Sequence, residues 1–211
     1  MNGKNMKKYS FFIDDNIFFF KDYASGKAKS IFDHFYIANL KKLHDKYQTK
    51  FLLNLFKGDQ NSGFMLDEFP DCYKAEFAAN SDWLRFSFHA AFDKTHYFDY
   101  PKCIAATADE FIRDYNYVKR EVIRFAGEEC FLVPQIIHYV ESSPEIKRFL
   151  YNEGVRFLCD RRTKFEALSA EAANCSISDE CSQYSSYSFL FTECPSSNKY
   201  RVNNLCTIIS G

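Results

Sequence analysis

Glycine and proline are both scarce, at 7 and 5 of 211 residues, and there is a single Trp. So little of either excludes collagen-like and low-complexity chains. No charge of one sign dominates: 27 basic side chains against 28 acidic ones leave a net charge of −1. That balance speaks against nucleic acid as a partner, because nucleic-acid binders show a basic excess or stripe. It also speaks against an acidic disordered tail. No run approaches the roughly 20 apolar residues of a membrane span, so no membrane partner is expected. Lys4, Lys7 and Lys8 precede an apolar run at residues 11–20, yet Asp14-Asp15 interrupts that run and no small-x-small site follows. A secretory leader is therefore not expected. Neither Gly-x-Gly-x-x-Gly nor Gly-x-x-x-x-Gly-Lys-(Ser/Thr) occurs, which disfavours phosphate cradling. The absence of Gly-x-Ser-x-Gly disfavours a serine hydrolase. None of the eight cysteines forms a Cys-x-x-Cys pair, so zinc-ribbon and thioredoxin chemistry are excluded.

What is abundant is aromatic: 24 Phe and 14 Tyr within a composition that is 46% hydrophobic, as in a globular chain with an aromatic core. Cys72, Cys103, Cys130 and Cys159 are dispersed through apolar segments and read as buried thiols of a cytoplasmic protein.

Along the chain, short apolar runs alternate with helical periods. Strands are expected at residues 9–13, 51–56, 84–88, 155–159 and the second half of 131–139, because Pro134 sits badly inside a ladder. Helices are expected over 30–47, from Pro70 with Tyr73, Phe77 and Ala78 inward, over 107–125, and over 143–152 with Gly154 as its stop. Strands separated by helices argue for repeated βαβ units. The expected fold is α/β, a partial (β/α) barrel of about five parallel βα units over residues 1–169. It is shorter than the roughly 250 residues such barrels usually take. Residues 170–211 differ in character, holding nine of the 18 serines and four of the eight cysteines. They are expected to be an irregular tail with one or two strands, such as 187–192. The other reading is that the fold is cut near residue 169.

In a parallel sheet the strand C-termini share one edge, and the loops there carry the chemistry. Asp14-Asp15 ends the first expected strand, and His89 ends the third, with Asp93 four residues on and His96 three further. His138 falls near the end of the fourth. One carboxylate of an adjacent pair can bind a cation while its neighbour acts as base. A His/carboxylate set with open positions suits Zn²⁺, or a harder divalent ion such as Mn²⁺ or Co²⁺. His34 and His44 lie within the first helix period and are expected at the surface or in packing.

This order of strand, Asp-Asp, two βα units and strand-His resembles the polysaccharide deacetylase (NodB-homology) superfamily, (β/α) barrels that remove acetyl groups from carbohydrates with a bound metal. The resemblance covers roughly residues 9–160. The family's Thr-Phe-Asp-Asp motif is matched by Phe12-Ile13-Asp14-Asp15, and its His-(Ser/Thr)-x-x-His motif by His89-Ala90-Ala91-Phe92-Asp93. By resemblance Asp14 is the general base, with Asp15, His89 and Asp93 as metal ligands and His96 a rival for the third place. The family's Arg-Pro turn is absent, its place held by His138-Tyr139, and the nearest arginine is Arg124. His138 is then the remaining strand-end group for the general acid, and Tyr97 and Tyr100 are candidates for stacking on a carbohydrate substrate. The implied activity is metal-dependent hydrolysis of an acetamide or acetyl ester. A degenerate, non-catalytic member of the same fold is the alternative, and the oligomeric state is left open.

Overall fold

A computed structural model describes residues 9–24, 27–97, 105–140, 142–159, 165–167 and 206–209. Strand β1 (Tyr9–Asn16) leads into helix α1 (Phe18–Ala24) and helix α2 (Phe35–Tyr47), then β2 (Lys50–Phe56). A short hairpin, β3 (Gly58–Asp59) and β4 (Phe64–Met65), precedes α3 (Lys74–Ala79) and β5 (Leu84–Ala90). Helices α4 (Ala108–Phe125) and α5 (Pro144–Asn152) follow, then β6 (Phe157–Cys159), β7 (Phe165–Ala167) and β8 (Cys206–Ile209).

The protein is mixed α/β, built on a parallel three-strand sheet in the order β1-β2-β5. Strand β8 lies antiparallel on the free side of β1. Every residue of β2 after Lys50 is buried, and only Arg85 of β5 is not. Both faces of the sheet are therefore covered, as parallel strands require. One face packs under the helices, where Phe20, Phe69, Phe77, Phe86 and Phe125 meet mostly edge to face at 4.9–5.9 Å. The other face carries a smaller cluster of Phe12 and Leu52 with Leu132 packed against it.

Local signals place the helices. Thr107 caps α4 in a capping box with Glu110, and Ser143 caps α5 with Pro144 in the first turn. The expected helix over 30–47 divides: a 3₁₀ turn at Ile31–Asp33 comes first, and α2 starts afresh with His34 as its N-cap. His34 Nδ1 accepts from the Tyr36 amide at 3.2 Å, and the Nε2 of its ring lies 3.0 Å from Asp22. His44 stacks on Trp83. Both histidines are thus structural.

Two strand expectations change. At the fourth position, pairing is confined to one parallel bridge, Phe86 to Phe131, with the Leu132 amide donating to the Phe86 carbonyl at 2.8 Å. It precedes Pro134 rather than following it, because Pro134 has no amide with which to continue the ladder. The expected fifth parallel strand is instead one arm of the antiparallel hairpin β6-β7, joined to the fourth segment by the Cys159 amide donating to the Gln135 carbonyl at 2.7 Å. The five parallel strands expected thus resolve, among the described residues, into three strands and a bridged fourth segment. No barrel closes among them. Residues 187–192 lie outside the described residues. Cys130 is buried, its thiol pushed up to about 12 by burial, whereas Cys72 is exposed, against expectation. Cys103 lies outside the described residues. No helix among the described residues is long and apolar enough to cross a membrane.

Candidate metal centre

The parallel order β1-β2-β5 brings the ends of β1 and β5 to one edge of the sheet. At the end of β1 the register with β2 shifts between Ile13 and Asn16, and Asp15 takes a left-handed backbone with φ 60°. A bulge of this kind re-aims side chains, and Asp is among the few residues that tolerate that conformation. The Asn16 amide pins it, donating to the carbonyls of Ile13 at 2.5 Å and Asp14 at 3.1 Å, while Tyr36 donates to the Asn16 Oδ1 at 2.8 Å.

Three donor atoms converge at this edge. Asp15 Oδ1 lies 3.2 Å from His89 Nε2 and 3.5 Å from His138 Nδ1, and the two imidazole nitrogens are 3.0 Å apart. Donors about 2.0–2.1 Å from a tetrahedral ion lie roughly 3.3–3.4 Å from one another, so a triangle of this size fits one divalent cation. Both histidines are buried, and the Phe56 ring packs against each at 5.4 and 5.1 Å. Asp15 is half-exposed, which leaves the outer side of the triangle open, yet its Oδ1 is itself buried and has no hydrogen-bond partner. Converging lone pairs without a proton or cation between them repel, and that orphaned oxygen supports the fit.

The tautomer of His138 is set from outside. Its Nε2 donates to the Asp93 main-chain carbonyl at 2.6 Å, which leaves Nδ1 as a lone pair facing the triangle. Tyr139 donates to the same carbonyl at 3.1 Å, stacks on His96 at 3.9 Å, and is held at φ 60°. Burial, followed by the charge of His89, pulls the pKa of His138 down; the Asp93 carbonyl and Asp15 oppose this. For Asp15 burial acts upward, but the close approach and charge of His89 and the charge of His138 outweigh it, and the carboxyl ends below its ordinary value. Asp14 is the opposite case. Burial pushes it up, against the charge of His89 and a 2.7 Å hydrogen bond from Asn54 Nδ2 to its Oδ1.

Sequence reasoning placed Asp14, Asp15 and His89 at this edge, and they are together there. Asp93 is a correction: its exposed side chain does not join the convergent set, and it enters through its carbonyl. His138 is the second correction, since it meets the ligand atoms directly where the role of acid was expected. His96 stacks on Tyr139 outside the triangle. Tyr97 is a third correction. It is 2% exposed, accepts from the Ala91 amide and donates to Asp114, so it anchors the loop after β5 and offers no face to a sugar. Tyr100 lies outside the described residues. Arg124 is spent on Glu121 and on the carbonyls of Leu66, Asp67 and Phe69.

No family model, curated protein or solved structure matches the chain.

Proposed function

We propose that the chain is a metal-dependent hydrolase of the polysaccharide deacetylase type, on a (β/α)-barrel-like frame, that removes acetyl groups from a carbohydrate. The observation carrying this reading is the Asp15–His89–His138 triangle with edges of 3.0–3.5 Å, beside a carboxyl held by Asn54. Two imidazoles and one carboxylate favour Zn²⁺, with Co²⁺ or Mn²⁺ as substitutes. When bound, the cation supplies a Lewis acid that polarises the acetyl carbonyl and acidifies water.

The protein's own groups do the rest. Asn54 occupies Asp14 Oδ1, so Oδ2 is the atom that takes the water's proton. An upward-shifted carboxyl holds that proton better than an ordinary one. His138 is committed to the ligand set, so protonated Asp14 returns the proton to the leaving amine or alkoxide. The C–N or C–O bond to the sugar breaks, a new C–O bond forms, and acetate departs.

Acetate release from acetylated oligosaccharides by the zinc-loaded protein tests this. Asp14→Asn keeps the metal and lowers kcat by about 10²–10⁴-fold. Metal-loaded wild type that releases no acetate, or an Asp14→Asn protein as fast as wild type, overturns it; the first result is what a degenerate member would give.

A further inference from the structure

Beneath the metal triangle lies a layer of polar groups that no interaction so far accounts for. Asn54 of β2 stands opposite Ser87 of β5 in the parallel register, and His89 lies two residues beyond Ser87 on the same face of that strand. Asn54 and Ser87 are fully buried and His89 is 2% exposed. Asn54 Oδ1, Ser87 Oγ and His89 Nδ1 are all without a hydrogen-bond partner. Three such atoms on buried residues of two paired strands are rare in native proteins, and an internal water is their usual partner.

We infer that Asn54 is a positioning residue that couples the base to the metal ligands through one buried water shared with Ser87 and His89; this rests on the metal reading above. The orientation of the Asn54 amide is fixed, because its Nδ2 must face the Asp14 carboxyl, which leaves Oδ1 as a pure acceptor on the other side. With His89 Nε2 turned to the triangle as a lone pair, the proton of that ring sits on Nδ1 and needs an acceptor. A water that accepts from His89 Nδ1 and donates to Asn54 Oδ1 and Ser87 Oγ satisfies all three atoms with three bonds, the usual number for an internal water. The two histidine ligands are then oriented by different devices: a main-chain carbonyl for His138, and this water for His89. One Asn side chain holds both the base and, through the water, a ligand. Asn54→Leu therefore disturbs two groups more than 30 residues apart in sequence.

Two measurements test this. In a crystal structure of the full chain, a water is expected about 2.7–3.2 Å from Asn54 Oδ1, Ser87 Oγ and His89 Nδ1. Its absence at a resolution that shows other internal waters overturns the inference, with or without metal present. Titration of the metal-free protein with Co²⁺, followed by the visible d–d bands, is the second. Asn54→Leu is expected to weaken Co²⁺ binding about 10–100-fold and shift the bands. Ser87→Ala, which introduces no buried charge and keeps the comparison readable if Asn54→Leu folds poorly, is expected to weaken it less. Wild-type affinity and spectrum in both variants overturn the positioning role. A wild-type protein that binds no Co²⁺ overturns the metal reading instead, and the crystallographic water still decides the coupling.

Discussion

Asp14 and Asp15 are chemically identical neighbours with opposite tendencies. The bulge at the end of β1 turns Asp15 toward two imidazoles and leaves Asp14 against Asn54, so one carboxyl is pulled down and the other pushed up. The signs give separate expectations. A carboxyl raised on folding favours the folded state below its unfolded value and loses that contribution as pH rises through the folded one. In the presence of chelator at pH 7, Asp14→Asn therefore raises the stability of the metal-free protein, by about 0.5–2 kcal/mol on the scale of single stabilising changes, read as a higher Tm. An unchanged or lower Tm would count against a strained carboxyl. Asp15, lowered on folding, contributes stability above the ordinary carboxyl range and loses it as pH falls through its depressed value. His138 sets the acid limit of metal retention, since protons compete for its Nδ1. Its pKa is pulled down by burial and by His89, so zinc stays bound to below about pH 6.5, the midpoint of an ordinary imidazole. Release well above that pH contradicts the assigned ligand. The identity of the third ligand was not legible in the sequence. The family motif pointed to Asp93, four residues from His89, whereas the fold brings in a histidine 49 residues away.

At the scale of elements, β1, β2, β5, α4 and α5 were legible because each carries a strong local signal: an unbroken apolar run, or an apolar stripe behind a cap. Helix α1 was not, since Phe18, Phe19 and Phe20 continue the apolar character of β1 and mask the change of period. The hairpin β3-β4 and the antiparallel partner of β6 rest on pairing, which a single segment does not encode. The loop after β5 is held by a chain of contacts in which Tyr97 donates to Asp114 and Lys57 completes an ion pair with it at 3.0 Å. Tyr97→Phe removes both hydrogen bonds of that hydroxyl and leaves the Ala91 amide without its partner. It is expected to lower stability by about 1–3 kcal/mol and to weaken metal binding through the Asp93 carbonyl, without a direct effect on sugar affinity. A selective loss of sugar affinity would return Tyr97 to the substrate site. Phe125 touches four other Phe rings under the sheet, and Phe125→Ala is expected to destabilise by about 3–5 kcal/mol in chemical denaturation. A change below 1 kcal/mol would show that this core is loose.

For the whole molecule, the few glycines and many phenylalanines describe a chain that spends its apolar residues on both faces of a parallel sheet and gathers polar groups at one edge of it. The layering explains why composition alone excluded functions better than it assigned one. Balanced charge speaks against a polyanion partner, but the Asp15–His89–His138 triangle depends on three segments meeting in space. The most direct measurement is the metal content, by elemental analysis after equilibration with zinc and desalting, of wild type, Asp15→Ala, His89→Ala, His138→Ala and Asp93→Ala. One zinc per chain is predicted for wild type and for Asp93→Ala, whose carbonyl is intact, and none for the other three. Wild type without stoichiometric zinc, or His138→Ala retaining it while Asp93→Ala does not, would contradict the proposed centre.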